Sequence, residues 1–256
     1  TFDLTVPGRP DSSVMDWFAQ RGFTTWCVDF EGYGRSDKKR PINFDIANGA
    51  DDLEAATDYI MKTRGIKQFL VYGISSGALR AACFAERCPE RVSRLALDAF
   101  VWKGTGSPTL AERTKKLPEF IKVNRRPIDR AFIHSIFTRD HPGCAEDSVV
   151  DAFAEQVVAL DDSVPTGTYV DMCSRLPVVD PEKITVPTIV MRGQWDGIAS
   201  FEDLMKFFER LPNPDKQFTV MAGAGHITHL GLNKDRFYNT FFSFLETPDR
   251  KDSAAH

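Results

Sequence analysis

Short apolar runs recur along this chain and alternate with longer stretches whose apolar residues are three or four positions apart. A run of about four to eight apolar residues predicts a buried strand, whereas the wider spacing predicts an amphipathic helix. The clearest helical pattern runs from Ile46 to Ile60, and Gly65 is expected to end that helix. The runs that predict strands are 24–28, 69–72, 94–97, 188–191 and 218–221. This alternation predicts an α/β fold with a mostly parallel sheet and flanking helices.

The alternation stops after Asp98 and resumes near Ile184. Residues 100–181 contain stretches with helical spacing that are separated by prolines, and no run typical of a buried strand. The sequence therefore predicts a core built from residues 1–99 and 182–256, with a helical insertion at 100–181. Helices within it are expected at 110–123, 128–137, 148–160 and 169–175.

Composition and charge are those of an ordinary globular enzyme. Of the 256 residues, 42% are hydrophobic and 27% are charged, and the formal net charge is -4. Such a charge favours neither a nucleic acid partner nor an anionic membrane surface, and no apolar stretch approaches the ~20 residues of a membrane span. The cysteines are scattered and odd in number, so we expect no disulfide framework, no metal site, no cofactor and a reducing, cytoplasmic location. They are Cys27, Cys83, Cys88, Cys144 and Cys173.

The sequence Gly-Ile-Ser-Ser-Gly at residues 73–77 is the strongest chemical signal. It lies between the predicted strand at 69–72 and a stretch with a helical pattern. A strand that enters a helix through Gly-x-Ser-x-Gly makes a sharp turn, which exposes the central serine hydroxyl. Ser75 is therefore the candidate nucleophile. Ser76 is the weaker alternative, because its own turn would put Ile74 where a small residue is needed.

Two further reactive side chains follow the ends of later predicted strands. Asp196 comes after the run at 188–191, and His226 comes after the run at 218–221. Because the carboxyl ends of parallel strands share one edge of the sheet, Ser75, Asp196 and His226 are expected to converge there. Asp98, also at a strand end, is the alternative acid. His229 is the alternative histidine and is expected to face solvent or to cap a turn.

The order Ser75, Asp196, His226 resembles that of the α/β-hydrolase family, and the resemblance extends over nearly the whole chain. Residues 29–36 (Asp-Phe-Glu-Gly-Tyr-Gly-Arg-Ser) are similar to the loop after the family's fourth strand, and residues 88–92 to the link that follows the elbow helix. The resemblance implies that the insertion is a cap between the sixth and seventh strands. It also implies an oxyanion hole that uses the backbone N–H of Ser76.

The N-terminus departs from the family pattern. There is no room before residue 24 for the family's first three strands, and no His-Gly pair for the loop that supplies the second oxyanion donor. Loss of three strands would expose a sheet edge and much apolar surface. We therefore expect the chain to be a piece of a longer protein, in which the absent segment carries that donor; the alternative is an unusual variant of the family that has lost these strands.

These residues predict a serine hydrolase that cleaves a small carboxylic ester or lactone through an acyl-enzyme intermediate. A C–C bond or amide hydrolase with the same triad is an alternative, and so is a low-turnover ligand receptor on a hydrolase scaffold. Aromatic residues such as Phe132 and Phe153 could line an apolar pocket or form the core of the insertion. The expected pocket residues are Phe100, Trp102, Phe137 and Trp195. The basic residues Lys115, Lys116, Lys122, Arg125, Arg126 and Arg130 are expected on a solvated face.

Overall fold

A computed structural model of the chain describes residues 2–9 and 11–251. Its strands are β1 (Phe69–Ile74), β2 (Val92–Asp98), β3 (Arg125–Pro127), β4 (Ser163–Pro165), β5 (Thr188–Gly193) and β6 (Lys216–Met221). Four of them form the central sheet in the order β1-β2-β5-β6, and each neighbouring pair is parallel. The sequence-based prediction of a mostly parallel sheet is confirmed.

Helices cover the sheet on both faces. They are α1 (Val14–Ala19), α2 (Ile46–Arg64), α3 (Ser76–Arg87), α4 (Pro108–Thr114), α5 (Leu117–Phe120), α6 (Arg130–Thr138), α7 (Asp147–Val158), α8 (Gly167–Ser174), α9 (Phe201–Arg210) and α10 (Lys234–Leu245). Helix α2 begins at a capping box on Asp45 and ends at Gly65, whose φ of 69° lies in the left-handed region. The end that the sequence predicts for this helix is therefore the observed one.

Alternate side chains of β2 enter two different cores. Leu95 and Leu97 pack with residues of α2, α3 and α9, whereas Ala96 packs with residues of α1 and α10. A strand covered on both faces needs apolar residues at consecutive positions, which explains the continuous apolar residues 95–97. The sheet is thus held between two helical layers, and the carboxyl ends of its strands lie at one edge.

The strand expected at 24–28 is not formed, and residues 23–30 have no regular secondary structure. Trp26 in this stretch is 42% exposed. Apolar residues alone do not make a strand, because the backbone must also find a partner for a ladder of hydrogen bonds. In the described residues, β1 is the last strand on its side of the sheet, and no ladder joins this stretch to it.

The chain between β2 and β5, called the insertion below, contains helices α4 to α8 and the antiparallel pair β3–β4. The stretch expected as one helix at 110–123 is divided into α4 and α5. Part of the insertion has its own apolar core, in which Ile133, Phe137 and Val150 pack together with Ile227 of the main domain. Among the helices that the structure describes, none combines the length and apolar character that crossing a bilayer requires.

Candidate active site

Ser75 lies in a strained turn between β1 and α3. Its φ and ψ are 55° and -122°, values that non-glycine residues rarely adopt. The turn is held to the next strand, since the Ser75 N–H donates to the carbonyl of Asp98 at 2.9 Å. A Cβ added at Gly73 would lie 2.4 Å from the carbonyl oxygen of Gly77, whereas one added at Gly77 would meet nothing within 4 Å. Of the two glycines of the motif, the first is the one that the close packing requires.

The loops after β5 and β6 are brought together by a second close approach. A Cβ added at Gly193, the last residue of β5, would lie 2.0 Å from the carbonyl oxygen of Gly225. Only glycine allows the two backbones this contact. Asp196 follows on one loop and His226 on the other, and both side chains are buried, with exposures of 3%.

Ser75, His226 and Asp196 form one continuous line of hydrogen bonds. The Nε2 atom of His226 lies 2.9 Å from Ser75 Oγ, and its Nδ1 atom lies 2.8 Å from Asp196 Oδ1. The same Asp196 oxygen accepts the N–H of Ile198 at 3.0 Å. Three residues that are far apart in sequence are therefore brought together in the order that the sequence predicts.

Asp98, the alternative acid, lies close by but has different partners. Its Oδ2 atom accepts hydrogen bonds from the hydroxyl groups of Thr228 and Tyr72, the latter at 3.1 Å. Burial, together with the nearby charge of Asp196, raises the pKa of Asp98 to about 7, although the two hydrogen bonds oppose this change. For Asp196, burial alone would also raise the pKa, but the charge and hydrogen bond of His226 hold it below its usual value.

The backbone N–H of Ser76 is available beside the serine hydroxyl. Ser76 is the first residue of α3, so the helix itself offers no acceptor for this N–H group. Ser75 and Ser76 both lie on the wall of a cavity of about 540 Å³, which is also lined by His226. The first turn of a helix favours negative charge, so this wall is suited to an oxyanion.

The cavity extends from Ser75 into the insertion, whose side chains form much of its wall. Residues of α6, α7 and α8 contribute, among them Phe132, Ile136, Phe153 and Tyr169. The sequence contains one weak signal for this wall, since Phe132 and Ile136 are four positions apart and therefore share one face of the helix. In the structure both side chains are only half-buried.

The four aromatic residues expected in the pocket lie elsewhere. Phe100 is fully buried against Phe207, and Trp102 is buried with its Nε1 donating to the carbonyl of Val179 at 3.2 Å. Phe137 packs edge-to-face against Phe153 in the insertion. Trp195 is 40% exposed and stacks on a surface residue, His141. The sequence reveals that these residues are aromatic but not which space their rings fill.

His229 also differs from expectation, because it is buried and does not face solvent. It is 2% exposed, and neither ring nitrogen has a hydrogen-bond partner within the part of the chain that the structure describes. Burial lowers its pKa to about 3, so the ring is neutral. His229 contacts the rings of Phe2 and Phe237 as an apolar packing residue would.

Comparisons with known proteins agree with this fold. A curated relative from Paraburkholderia phymatum, 2-hydroxy-6-oxononadienedioate/2-hydroxy-6-oxononatrienedioate hydrolase, is 24% identical over 242 residues, which are 90% of this chain and 79% of that protein. An esterase from Exiguobacterium antarcticum has a similar structure, with a TM-score of 0.67 at 19% identity over 95% of this chain and 88% of that one. The 2-hydroxy-6-oxo-6-phenylhexa-2,4-dienoate hydrolase of Rhodococcus sp. strain RHA1 matches with a TM-score of 0.68 at 17% identity over the same shares.

The family assignment rests on the sequence as well as on the fold. The family described as serine aminopeptidase, S33, matches residues 8–232, which include Ser75, Asp196 and His226. The resemblance seen in the sequence is therefore confirmed. This protein belongs to the serine aminopeptidase S33 family of α/β-hydrolases and is a hydrolase.

Proposed function

We propose that this protein hydrolyses a small carboxylic ester or lactone through an acyl-enzyme intermediate on Ser75. The observation that carries the proposal is the line of hydrogen bonds from Ser75 through His226 to Asp196, which opens on a cavity of about 540 Å³. A serine hydroxyl is a weak nucleophile at neutral pH, and a histidine within hydrogen-bond distance supplies the base that it needs.

In the acylation step, Ser75 Oγ attacks the substrate carbonyl carbon and its proton passes to His226 Nε2. The carbonyl electron pair moves to oxygen, which accepts a hydrogen bond from the Ser76 N–H. Such a donor contributes about 3 kcal/mol to the transition state. Asp196 holds the ring by Nδ1 and stabilises its positive charge. When the C–O bond breaks, His226 gives its proton to the departing alcohol.

In the deacylation step, water replaces the alcohol. His226 Nε2 takes a proton from water as the oxygen attacks the acyl carbon, and the same proton returns to Ser75 Oγ when the acid leaves. We further propose that the insertion acts as a cap. Its position over Ser75 would exclude bulk water from the site and strengthen the electrostatic interactions beneath it.

The proposal is tested with a fluorophosphonate probe and a panel of p-nitrophenyl esters. Wild-type protein is expected to be labelled and to turn over at least one ester. Ser75→Ala should abolish labelling and lower turnover by several orders of magnitude. Ser76→Ala is the matched control, because it removes a neighbouring hydroxyl but keeps the backbone N–H. Labelling of Ser75→Ala at the wild-type rate would overturn the assignment. Labelling of wild type without turnover of any ester, or of the C–C substrate described next, would favour a receptor.

A second candidate is hydrolysis of a C–C bond, which the relative from Paraburkholderia phymatum favours. The two compounds after which that relative is named carry ketone, enol and carboxylate groups and no ester, so their hydrolysis must cleave a C–C bond beside the ketone. Incubation with either compound separates the two candidates. If the protein removes the dienol absorbance of the compound with a kcat/KM above that for every ester, the protein is a C–C bond hydrolase.

A further inference from the structure

Two arginine side chains of the insertion stand against one tyrosine ring in the cavity wall. Arg113 on α4, Arg126 on β3 and Tyr169 on α8 all line the cavity that contains Ser75. The guanidinium carbon of Arg113 lies 4.1 Å from the centre of the Tyr169 ring, and that of Arg126 lies 4.3 Å from it. Three separate elements therefore converge to place two positive charges at one point of the wall.

Neither arginine is paired with a carboxylate in the described residues. Arg113 Nη1 donates to the sulfur of Met172, a weak acceptor, at 3.0 Å. Arg126 donates from Nη2 to the hydroxyl of Tyr169 at 2.8 Å, and its Nε is buried without a hydrogen-bond partner. Arg139, also in the wall, differs because it pairs with Asp140. A half-buried cation without a counter-charge loses hydration on folding and so lowers the stability of the folded protein. The presence of two such cations in one wall therefore requires an explanation.

The carboxylates of the same cavity do not neutralise these charges, because they are held elsewhere. Asp161 pairs with Lys38 at 2.7 Å and accepts the N–H of Gly34. Asp29 accepts the N–H of Arg35 at 3.0 Å, and Asp3 accepts the hydroxyl of Ser13 at 3.2 Å. Burial, with the positive charges of Arg139 and Arg126 adding to it, lowers the pKa of Arg113, which is the effect expected where positive charge is not compensated.

Two hydroxyl groups of the cavity wall, on Tyr169 and Thr168, each accept a hydrogen bond from an arginine. Tyr169 Oη accepts from Arg126 and Thr168 Oγ1 accepts from Arg80 at 2.8 Å, so each hydroxyl hydrogen is free to be donated to another group. Thr168 also lines the cavity. The two guanidinium groups and the two hydroxyl groups can all donate hydrogen bonds, and a planar carboxylate is a ligand that accepts several such bonds at once.

We propose that Arg113, Arg126 and Tyr169 form a carboxylate-binding subsite, so that the substrate of this hydrolase is an acid that carries its cleavable bond elsewhere in the same molecule. The proposal rests on the proposed function, since it assigns the far end of a substrate whose reacting carbonyl lies at Ser75. The carboxylate belongs either to the acyl part or to the leaving group, and both arrangements place a negative charge at the arginines.

The test compares charged and neutral substrates of matched length. One series consists of p-nitrophenyl monoesters of glutaric, adipic and suberic acids beside p-nitrophenyl pentanoate, hexanoate and octanoate, with uncatalysed hydrolysis subtracted. A second pair, 3-acetoxybenzoate and phenyl acetate, places the charge in the leaving group. Wild-type protein is expected to prefer at least one charged ester by about tenfold or more in kcat/KM, and to lose the preference in high salt.

Variants assign that preference to the residues. Arg113→Met and Arg126→Met should each lower the ratio of charged to neutral kcat/KM by about tenfold, mainly through KM. Tyr169→Phe keeps the ring and removes only the hydroxyl, and it should lower the ratio less. Arg130→Met is the matched control, because Arg130 is an arginine of the same insertion that pairs with Glu155 at the surface. Its ratio should stay at the wild-type value.

A binding measurement without turnover separates this inference from the proposed function. Glutarate, adipate or suberate should raise the melting temperature of wild-type and Arg130→Met protein, but not that of Arg126→Met. Preference of wild type for every neutral ester, or an equal effect of Arg130→Met, would overturn the subsite. Absence of all ester turnover and of Ser75 labelling, together with stabilisation by a dicarboxylate that requires Arg126, would overturn the proposed function and leave the subsite supported.

Discussion

Asp98 is the last residue of β2 and Asp196 follows the end of the neighbouring strand β5, yet their carboxyl groups differ in partner and in pKa. Asp196 bonds to His226, whereas Asp98 bonds to Thr228 and Tyr72. We expect Asp196→Asn to lower kcat/KM by about four orders of magnitude, as loss of the acid does in other triads. Asp98→Asn should cost far less. Steady-state kinetics on the two purified variants decide the ranking, and the reverse order would assign the acid role to Asp98.

The raised pKa of Asp98 also predicts how stability depends on pH. With a folded-state pKa of about 7 and an ordinary value of 3.8 when unfolded, this carboxyl keeps a proton in the folded protein that the unfolded chain releases. The free energy of unfolding should therefore fall as pH rises from about 4 to about 7, by up to roughly 1.4 kcal/mol per pH unit from this group.

Urea unfolding of wild type and Asp98→Asn at pH 5, 6 and 7 measures this contribution. The variant has no carboxyl at this position, so its stability should change less steeply over the same interval. Equal slopes for the two proteins would mean that Asp98 titrates normally. The other groups that titrate in this range are common to both proteins and cancel in the comparison.

At the scale of elements, the turn between β1 and α3 offers a matched pair of glycines. Gly73→Ala would place a methyl group 2.4 Å from the Gly77 carbonyl oxygen, whereas Gly77→Ala would meet nothing within 4 Å. We expect Gly73→Ala to shift the turn and to reduce probe labelling at Ser75 strongly. Gly77→Ala should preserve labelling and keep or slightly raise stability, since alanine favours helix by about 1 kcal/mol over glycine.

Thermal unfolding and labelling rates of the two variants test this difference. Loss of labelling in both would indicate that the motif needs two glycines for a reason other than the space around them. Unchanged labelling in Gly73→Ala would show that the turn can relax, contrary to the backbone contact seen here.

Elements with a strong local pattern were predictable, and elements that depend on distant partners were not. Strands β1, β2, β5 and β6 follow from continuous apolar runs, and Ser75, Asp196 and His226 follow from their places after such runs. The expected strand at 24–28 failed because a strand needs a ladder partner, which sequence periodicity does not report. The pair β3–β4 was not predicted, because its three-residue strands include prolines and arginines and are far apart in the sequence. Arg125 and Ser163, which are hydrogen-bonded across the pair, are 38 positions apart.

At the scale of the whole molecule, the insertion and the core meet at the cavity, and neighbouring apolar side chains of α6 divide between that cavity and the insertion's own core. Ile136 lines the cavity, and the next residue, Phe137, is buried against Phe153. Ile136→Ala should enlarge the pocket and shift preference toward bulkier esters by about 1–3 kcal/mol in kcat/KM. Phe137→Ala should instead lower the free energy of unfolding by about 3–5 kcal/mol and leave the ranking of esters unchanged.

Kinetics over a series of linear and branched p-nitrophenyl esters, together with urea unfolding, distinguish the two variants. A changed ranking in Phe137→Ala with normal stability would restore this ring to the pocket. The pair also shows why the pocket was not predictable from sequence, since adjacent apolar residues of one helix look alike until the neighbours of the helix are known.

The hydrogen bond from Trp102 to the carbonyl of Val179 joins residues 77 positions apart, close to the two ends of the insertion. The start of the insertion is also bound to α9, because the carboxylate of Asp203 accepts hydrogen bonds from the backbone N–H groups of Trp102, Lys103 and Gly104 at 3.1 to 3.2 Å. Because the two ends of the insertion lie close together, the insertion can be lengthened, shortened or exchanged without changing the distance between the points where it joins the core. Selection for a new substrate can therefore change the whole insertion, while the positions of Ser75 and His226 in the core are preserved.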